Sequence, residues 1–143
     1  MNTLIADLLG ILAIALFVLS NAFFVAAEFS LVSVRRTRIA ELAERGMAGA
    51  QAVQKAIENP DRVIAATQLG ITLSSLALGW IGEPALSHLL QPLIALFPSA
   101  MQSGVAHSVS VALAFSLITF LHVVIGELAP KSIALQNPER RSE

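Results

Sequence analysis

The chain has 143 residues, of which 55% are hydrophobic and only 13% are charged, whereas charged residues make up about a quarter of a typical soluble domain. This length suits a single domain and leaves too little for a membrane part plus a second soluble domain. The absence of cysteine excludes disulfides, thiolate metal sites and cysteine nucleophiles, and a net charge of −1 gives no sign of a nucleic-acid partner.

Three stretches of the chain contain no Asp, Glu, Lys or Arg: 8–27, 63–82 and 84–126. Each reaches the roughly 20 residues that a helix needs to cross about 30 Å of hydrocarbon. The first stretch has no basic residue before it, because Asp7 is the only charge that precedes Glu28. No convincing cleavage site follows it either, so we predict a retained membrane helix rather than a signal peptide.

The third uncharged stretch is long enough for one span or two. Pro84, Pro92 and Pro98 interrupt its first part, and proline inside a helix removes a hydrogen bond and kinks the chain. We therefore interpret residues 85–101 as a short helix or loop packed at the membrane interface. The uninterrupted apolar run is 105–126.

The placement of basic residues decides the number of spans. Six of the nine lie between the first and second apolar stretches, and the other three follow the last. With three spans all nine fall on one side of the membrane, as the positive-inside rule requires. We predict an all-α integral membrane protein with three transmembrane helices, at about 4–27, 63–83 and 105–126. The N-terminus is expected outside the cell and the C-terminus in the cytoplasm. The predicted location is the inner (plasma) membrane.

The segment 34–58 alternates apolar and charged residues at helical spacing, and Gly46 and Gly49 divide it. Asn59-Pro60 marks its end. This pattern predicts two amphipathic helices that lie along the inner membrane surface as a juxtamembrane belt in contact with the lipid bilayer. A solvated helical hairpin is the alternative.

The end of the third span carries the most informative chemistry. In a continued α-helix the N–H of residue 130 would bond the carbonyl of Gly126, but Pro130 has no N–H. Glu127 places a carboxylate beside that carbonyl. An oxygen-only, partly anionic pocket suits a hard cation such as Mg²⁺ or Ca²⁺.

Oxygens from the other spans complete a candidate metal site: the hydroxyls of Ser20 and Ser75 and the side chain of Asn21. In the second span Ser75 shares one helical face with Gln68, Thr72 and Gly79. The structural alternative for each hydroxyl is a hydrogen bond to a carbonyl one turn back. Glu28 is expected to pair with an arginine of the belt, and the three histidines are too far apart in sequence to suggest a cluster.

Three motifs in order resemble the transmembrane domain of the CorC/CNNM family of magnesium transporters. They are SNAFFVAAEFS over residues 20–30, TQLGITL over 67–73 and GELAPKS over 126–132. The resemblance covers 1–138, and 139–143 would begin a cytoplasmic linker. By motif position it implies that Ser20, the Gly126 carbonyl and Glu127 are ligands. Ser75 stands where some relatives carry Asn.

The resemblance further implies a homodimer that exports Mg²⁺, with Na⁺ influx as a candidate driving force. The full-length protein is expected to continue into cytoplasmic CBS domains that bind ATP. The mechanism we predict is secondary transport of a largely dehydrated Mg²⁺ held by Ser20, Asn21, Ser75, Gly126 and Glu127. The alternative is a Mg²⁺-binding sensor that regulates another transporter and moves nothing itself. A scaffold that only dimerises is a further, weaker alternative. We expect no enzymatic activity, because the spans contain no GxSG, no HExxH and no pair of aspartates.

Overall fold

The computed structural model describes residues 2–95 and 105–136, and all regular structure in these two ranges is helical. The predicted linker at 139–143, and Pro98 with its neighbours in the 85–101 segment, lie outside the described residues. Three helical stretches are long and apolar enough to cross a membrane: Leu4–Ser33, Pro60–Pro92 and His107–Gln136. The prediction of an all-α multi-pass membrane protein is confirmed, while its orientation, its dimer and its juxtamembrane belt stay predictions.

The first spanning helix and the two short helices after it occupy the N-terminal part of the chain. Helix α1 covers Asn2–Ser33, α2 covers Arg36–Glu44 and α3 covers Ala50–Glu58. Between α2 and α3 the backbone takes positive φ angles at Gly46 (71°) and Gly49 (85°), which glycine adopts without steric cost. This turn folds α2 and α3 against each other, and α3 also contacts α1 and α4.

The second and third spanning helices are each composed of two α-helical parts with a π-helical segment between them. The second consists of α4 (Pro60–Ala77), π1 (Leu78–Gly82) and α5 (Glu83–Ile94). The third consists of α6 (Val105–Leu121), π2 (His122–Leu128) and α7 (Ala129–Gln136). Both therefore extend further along the chain than the predicted spans 63–83 and 105–126.

Each π segment lies just before a proline, which explains why the helices continue. A proline ring clashes with the carbonyl four residues earlier. For Pro84 that carbonyl belongs to Trp80 in π1, and for Pro130 it belongs to Gly126 in π2. The wider π turn gives the ring room beside the carbonyl. The third helix thus continues past Pro130 to Gln136 instead of ending near it.

Helix α1 is central to the bundle and packs against α4, π1, α5, π2 and α7. The buried core takes one apolar residue from each spanning helix: Val18, Leu78 and Ile118. Many other large apolar side chains face outward, as expected where the surrounding solvent is lipid. Polar side chains buried inside the bundle are therefore the unusual feature, and Asn21 is the most deeply buried of those described.

Candidate cation site

A cavity of about 490 Å³ opens between the three spanning helices. Its lining comes from the last part of α1 and from residues 68–75 of α4, which belong to the first half of the second spanning helix. The cavity therefore lies in the half of the bundle nearer α2 and α3. Seven polar or charged residues contribute to its lining: Glu28, Gln68, Thr72, Ser75, His122, Glu127 and Lys131. Polar groups inside a membrane domain are costly and usually mark an ion or substrate pathway.

The side chain of Asn21 joins the three spanning helices behind this cavity. It is 1% exposed. Its Nδ2 donates to the Gly126 carbonyl at 3.0 Å, and its Oδ1 accepts from the Ser75 hydroxyl at 3.4 Å. The carbonyl that loses its α-helical donor to Pro130 thus receives a donor from another helix. Its immediate surroundings are tight, because a Cβ added at Gly126 would lie 3.2 Å from Asn21 Nδ2.

We expect replacement of Asn21 by leucine, a side chain of similar size, to lower the free energy of unfolding by about 1–3 kcal/mol. The reason is that the buried Gly126 carbonyl would lose the donor that Asn21 supplies. Denaturant or thermal unfolding in detergent would measure the change. Asn59→Leu is the matched control. The Asn59 side chain also donates to a backbone carbonyl, that of Lys55, but Asn59 is exposed. Equal losses in the two variants would contradict the importance of the buried bond.

His122 is the main member of the site that sequence reasoning missed. Its Nε2 lies 3.0 Å from the Ser75 hydroxyl. The sequence spacing of the three histidines shows no cluster, because His122 associates with groups on other helices and not with another histidine. Its spacing from Glu127 is five residues, which a π turn brings onto a similar face and an α turn does not. Since Pro130 favours the π turn, Pro130 was the residue in the sequence from which the position of His122 beside this site could have been predicted.

Charged side chains lie on the side of the cavity towards α7. The Lys131 ammonium is 3.6 Å from Glu127 Oε1 and 4.7 Å from the centre of the Phe29 ring. The Glu28 carboxylate accepts a hydrogen bond from Thr67 at 3.2 Å. Glu28, which the sequence suggested would pair with a belt arginine, thus faces the same cavity as Glu127.

The five predicted ligands occupy different positions around the cavity. Ser75 and Glu127 line it, and Asn21 and Gly126 are buried behind Ser75 in one hydrogen-bonded group. Ser20 is half-buried next to Asn21 in α1, outside the lining residues of the described cavity. Across 2–95 and 105–136 no group of three or more His, Asp or Glu could hold a metal ion. A cation here would therefore need hydroxyl, amide and carbonyl oxygens beside the carboxylate.

The comparison with known protein families decides what kind of membrane domain this is. The family model described as the cyclin M transmembrane N-terminal domain matches residues 11–142. The chain belongs to the CNNM family. The resemblance predicted from the three motifs is confirmed, and the family is generally linked to Mg²⁺ transport or other handling of metal ions.

Several bacterial relatives of this CNNM domain match over nearly its whole length. The UPF0053 protein YhdT of Bacillus subtilis (strain 168) is 46% identical over 134 residues, which are 94% of this chain and 29% of the relative. The UPF0053 protein YugS of the same organism is 45% identical over 128 residues, 88% of this chain and 29% of the relative. The uncharacterized protein Rv1841c of Mycobacterium tuberculosis (strain ATCC 25618 / H37Rv) is 44% identical over 140 residues, 98% and 38% respectively. The chain thus spans less than two-fifths of the length of these relatives.

Proposed function

We propose that this chain is the membrane domain of a transporter that exports Mg²⁺. Two observations carry the proposal: Asn21, Ser75 and Gly126 form one hydrogen-bonded group, and Ser75 and Glu127 line the same cavity between the three helices. Mg²⁺ prefers six oxygens at about 2.0–2.1 Å. A site assembled from three helices supplies such a shell only in one arrangement, so rearrangement of the helices would release the ion.

The proposed ligands are Ser20, Asn21, Ser75, Gly126 and Glu127. The hydrogen bonds from Asn21 to Gly126 and from Ser75 to Asn21 hold three of these oxygens close together. Each would meet the cation with its unused lone pair, and Glu127 would supply the negative charge. Loss of most of the hydration shell is costly for Mg²⁺, and this prearrangement of oxygens offsets part of that cost.

The orientation we propose places α2 and α3 on the cytoplasmic side of the inner (plasma) membrane, as a juxtamembrane belt. The support is the concentration of basic residues between α1 and α4. In this orientation the cavity lies in the cytoplasmic half of the bundle, where it would receive Mg²⁺ from inside the cell. A homodimer and cytoplasmic ATP-binding CBS domains in the full-length protein are proposed from the family resemblance.

Flux into sealed vesicles tests transport directly. Reconstituted wild-type protein is expected to move Mg²⁺ across the membrane of proteoliposomes that hold a Mg²⁺-sensitive dye, and a Na⁺ gradient of opposite direction is expected to accelerate the flux. Glu127→Gln protein at equal density is the control and should give the leak rate of empty vesicles. Binding of Mg²⁺ by the wild type without flux would overturn transport and favour a sensor that regulates another protein.

A further inference from the structure

We propose that His122 is a positioning residue that donates the first hydrogen bond of a one-way chain, His122 to Ser75 to Asn21 to Gly126, and that it does not ligate the cation. The inference deepens the proposed function and rests on it for the identity of the ion. The direction of the chain is assigned from the hydrogen-bonding capacity of each group and from the contacts that it makes. It begins with the one group whose role is fixed, the backbone carbonyl.

The Gly126 carbonyl can only accept a hydrogen bond, so the Asn21 atom that lies 3.0 Å from it is the amide nitrogen. This sets the orientation of the amide and directs Asn21 Oδ1 to the Ser75 hydroxyl, 3.4 Å away. Oδ1 also can only accept. We assign the single proton of Ser75 to Asn21 Oδ1, because that oxygen cannot donate at this contact.

The remaining bond of the chain assigns the proton on the imidazole. Ser75 Oγ lies 3.0 Å from His122 Nε2. Because the hydroxyl has no second proton to donate, it accepts at this contact, and Nε2 carries a hydrogen. A protonated ring nitrogen has no lone pair for a metal. His122 therefore lines the cavity without offering a nitrogen ligand from Nε2.

The chain leaves its oxygens ready for a hard cation. The Ser75 hydroxyl, the Asn21 amide oxygen and the Gly126 carbonyl each accept one hydrogen bond in it, and each such oxygen has a second lone pair with which it could bind a cation. His122 in π2 and Gly126 one turn later belong to the same segment, so π2 supplies both ends of the chain. Borderline metals such as Zn²⁺ prefer imidazole nitrogen. Occupying that nitrogen with a proton would make the site present oxygens alone and favour Mg²⁺.

Nitrogen-15 NMR of histidine-labelled protein in lipid nanodiscs tests the proton assignment without requiring any ion. His122→Gln identifies the His122 signals by their disappearance. We expect a protonated Nε2, both without Mg²⁺ and at saturating Mg²⁺. A bare Nε2 in the free protein, or loss of its proton when Mg²⁺ or Zn²⁺ binds, would overturn the proposal.

Binding measurements on two variants test the positioning role. His122→Leu removes the donor and is expected to weaken Mg²⁺ binding about tenfold, the effect of losing one buried hydrogen bond. His122→Gln can still donate from its amide and is expected to stay within about threefold of wild type. His107→Leu, on the same spanning helix and exposed, is the control and should bind as the wild type does. Wild-type affinity in His122→Leu, or equal losses in the leucine and glutamine variants, would contradict positioning.

Failure of the proposed Mg²⁺ transport and failure of the hydrogen-bond chain give different experimental results. If wild-type protein binds no Mg²⁺, the proposed function fails, and the NMR assignment still decides whether the chain exists. If wild type binds Mg²⁺ and Nε2 is bare, the function stands and the chain is wrong. Circular dichroism of each variant, compared with His107→Leu, separates loss of binding from loss of the helical fold.

Discussion

Glu127→Gln is expected to weaken Mg²⁺ binding at least about 100-fold while leaving the helical fold intact. Glutamine keeps the size and one oxygen of the side chain and removes its negative charge. Even at an effective dielectric constant of about 20, one unit charge contributes several kcal/mol at contact with a cation, and about 1.4 kcal/mol corresponds to a factor of ten in affinity. Titration calorimetry of purified protein in detergent would measure the difference.

Glu83→Gln is the matched control for this change. Glu83 lies at the start of α5, in the opposite half of the bundle, and bonds the Ser87 hydroxyl at 3.2 Å. It lies outside the lining of the cavity. We expect this variant to bind Mg²⁺ within about twofold of wild type, as the charge is distant. Equal affinities in Glu127→Gln and wild type would remove Glu127 from the site.

The positive charge of Lys131 adds a second effect to the loss of the Glu127 charge. Its ammonium lies 3.6 Å from Glu127 and faces the Phe29 ring, so one positive charge already neighbours the carboxylate. A divalent cation that binds Glu127 would repel this ammonium at short range. Binding therefore requires Lys131 to move away or the ion to be attracted strongly enough by the remaining groups. In Glu127→Gln the repulsion persists and the attraction is reduced.

The membrane class and the helices were predictable because they depend on composition over long stretches. An uncharged run of about 20 residues that crosses a bilayer is expected to be helical, because a helix bonds every backbone group within itself. The motifs around Asn21 and Glu127 were likewise sufficient to identify the family, because they depend on sequence alone. The helix ends were less predictable, since Pro84 and Pro130 suggested breaks where the structure has π segments.

The groups that the sequence did not identify are those whose role depends on another helix. His122 is a lone histidine in an apolar run, and only its contact with Ser75, 47 positions away, identifies it as part of the site. Glu28 faces the cavity because Thr67 from α4 bonds it. Neither spacing nor composition predicts which side chain of a second helix stands opposite. A π turn also shifts the helical face by an amount that α-helical periodicity does not anticipate.

Gly70→Ala is expected to destabilise the bundle by about 1–3 kcal/mol, the usual cost of an extra methyl group in a filled core. Gly70 is buried in α4 where that helix approaches α1. A Cβ added there would lie 2.5–2.6 Å from three atoms of the Phe24 ring, including Cγ. Cγ does not move when the ring turns about the Cβ–Cγ bond, so the clash is removed only if Phe24 leaves its χ1 rotamer or the two helices separate.

Gly79→Ala provides the comparison, because it makes the same chemical change in the same spanning helix. An added Cβ at Gly79 meets no atom within 4 Å among the described residues. There the higher helix propensity of alanine should leave stability unchanged or raise it by up to about 1 kcal/mol. Thermal unfolding of both variants in the same detergent would show a drop for Gly70→Ala alone. Since α1 and α4 also carry Asn21 and Ser75, separating them should stretch the 3.4 Å bond between these side chains and weaken Mg²⁺ binding as well. A destabilised Gly70→Ala protein with unchanged affinity would mean that the oxygen group does not depend on close packing of these two helices.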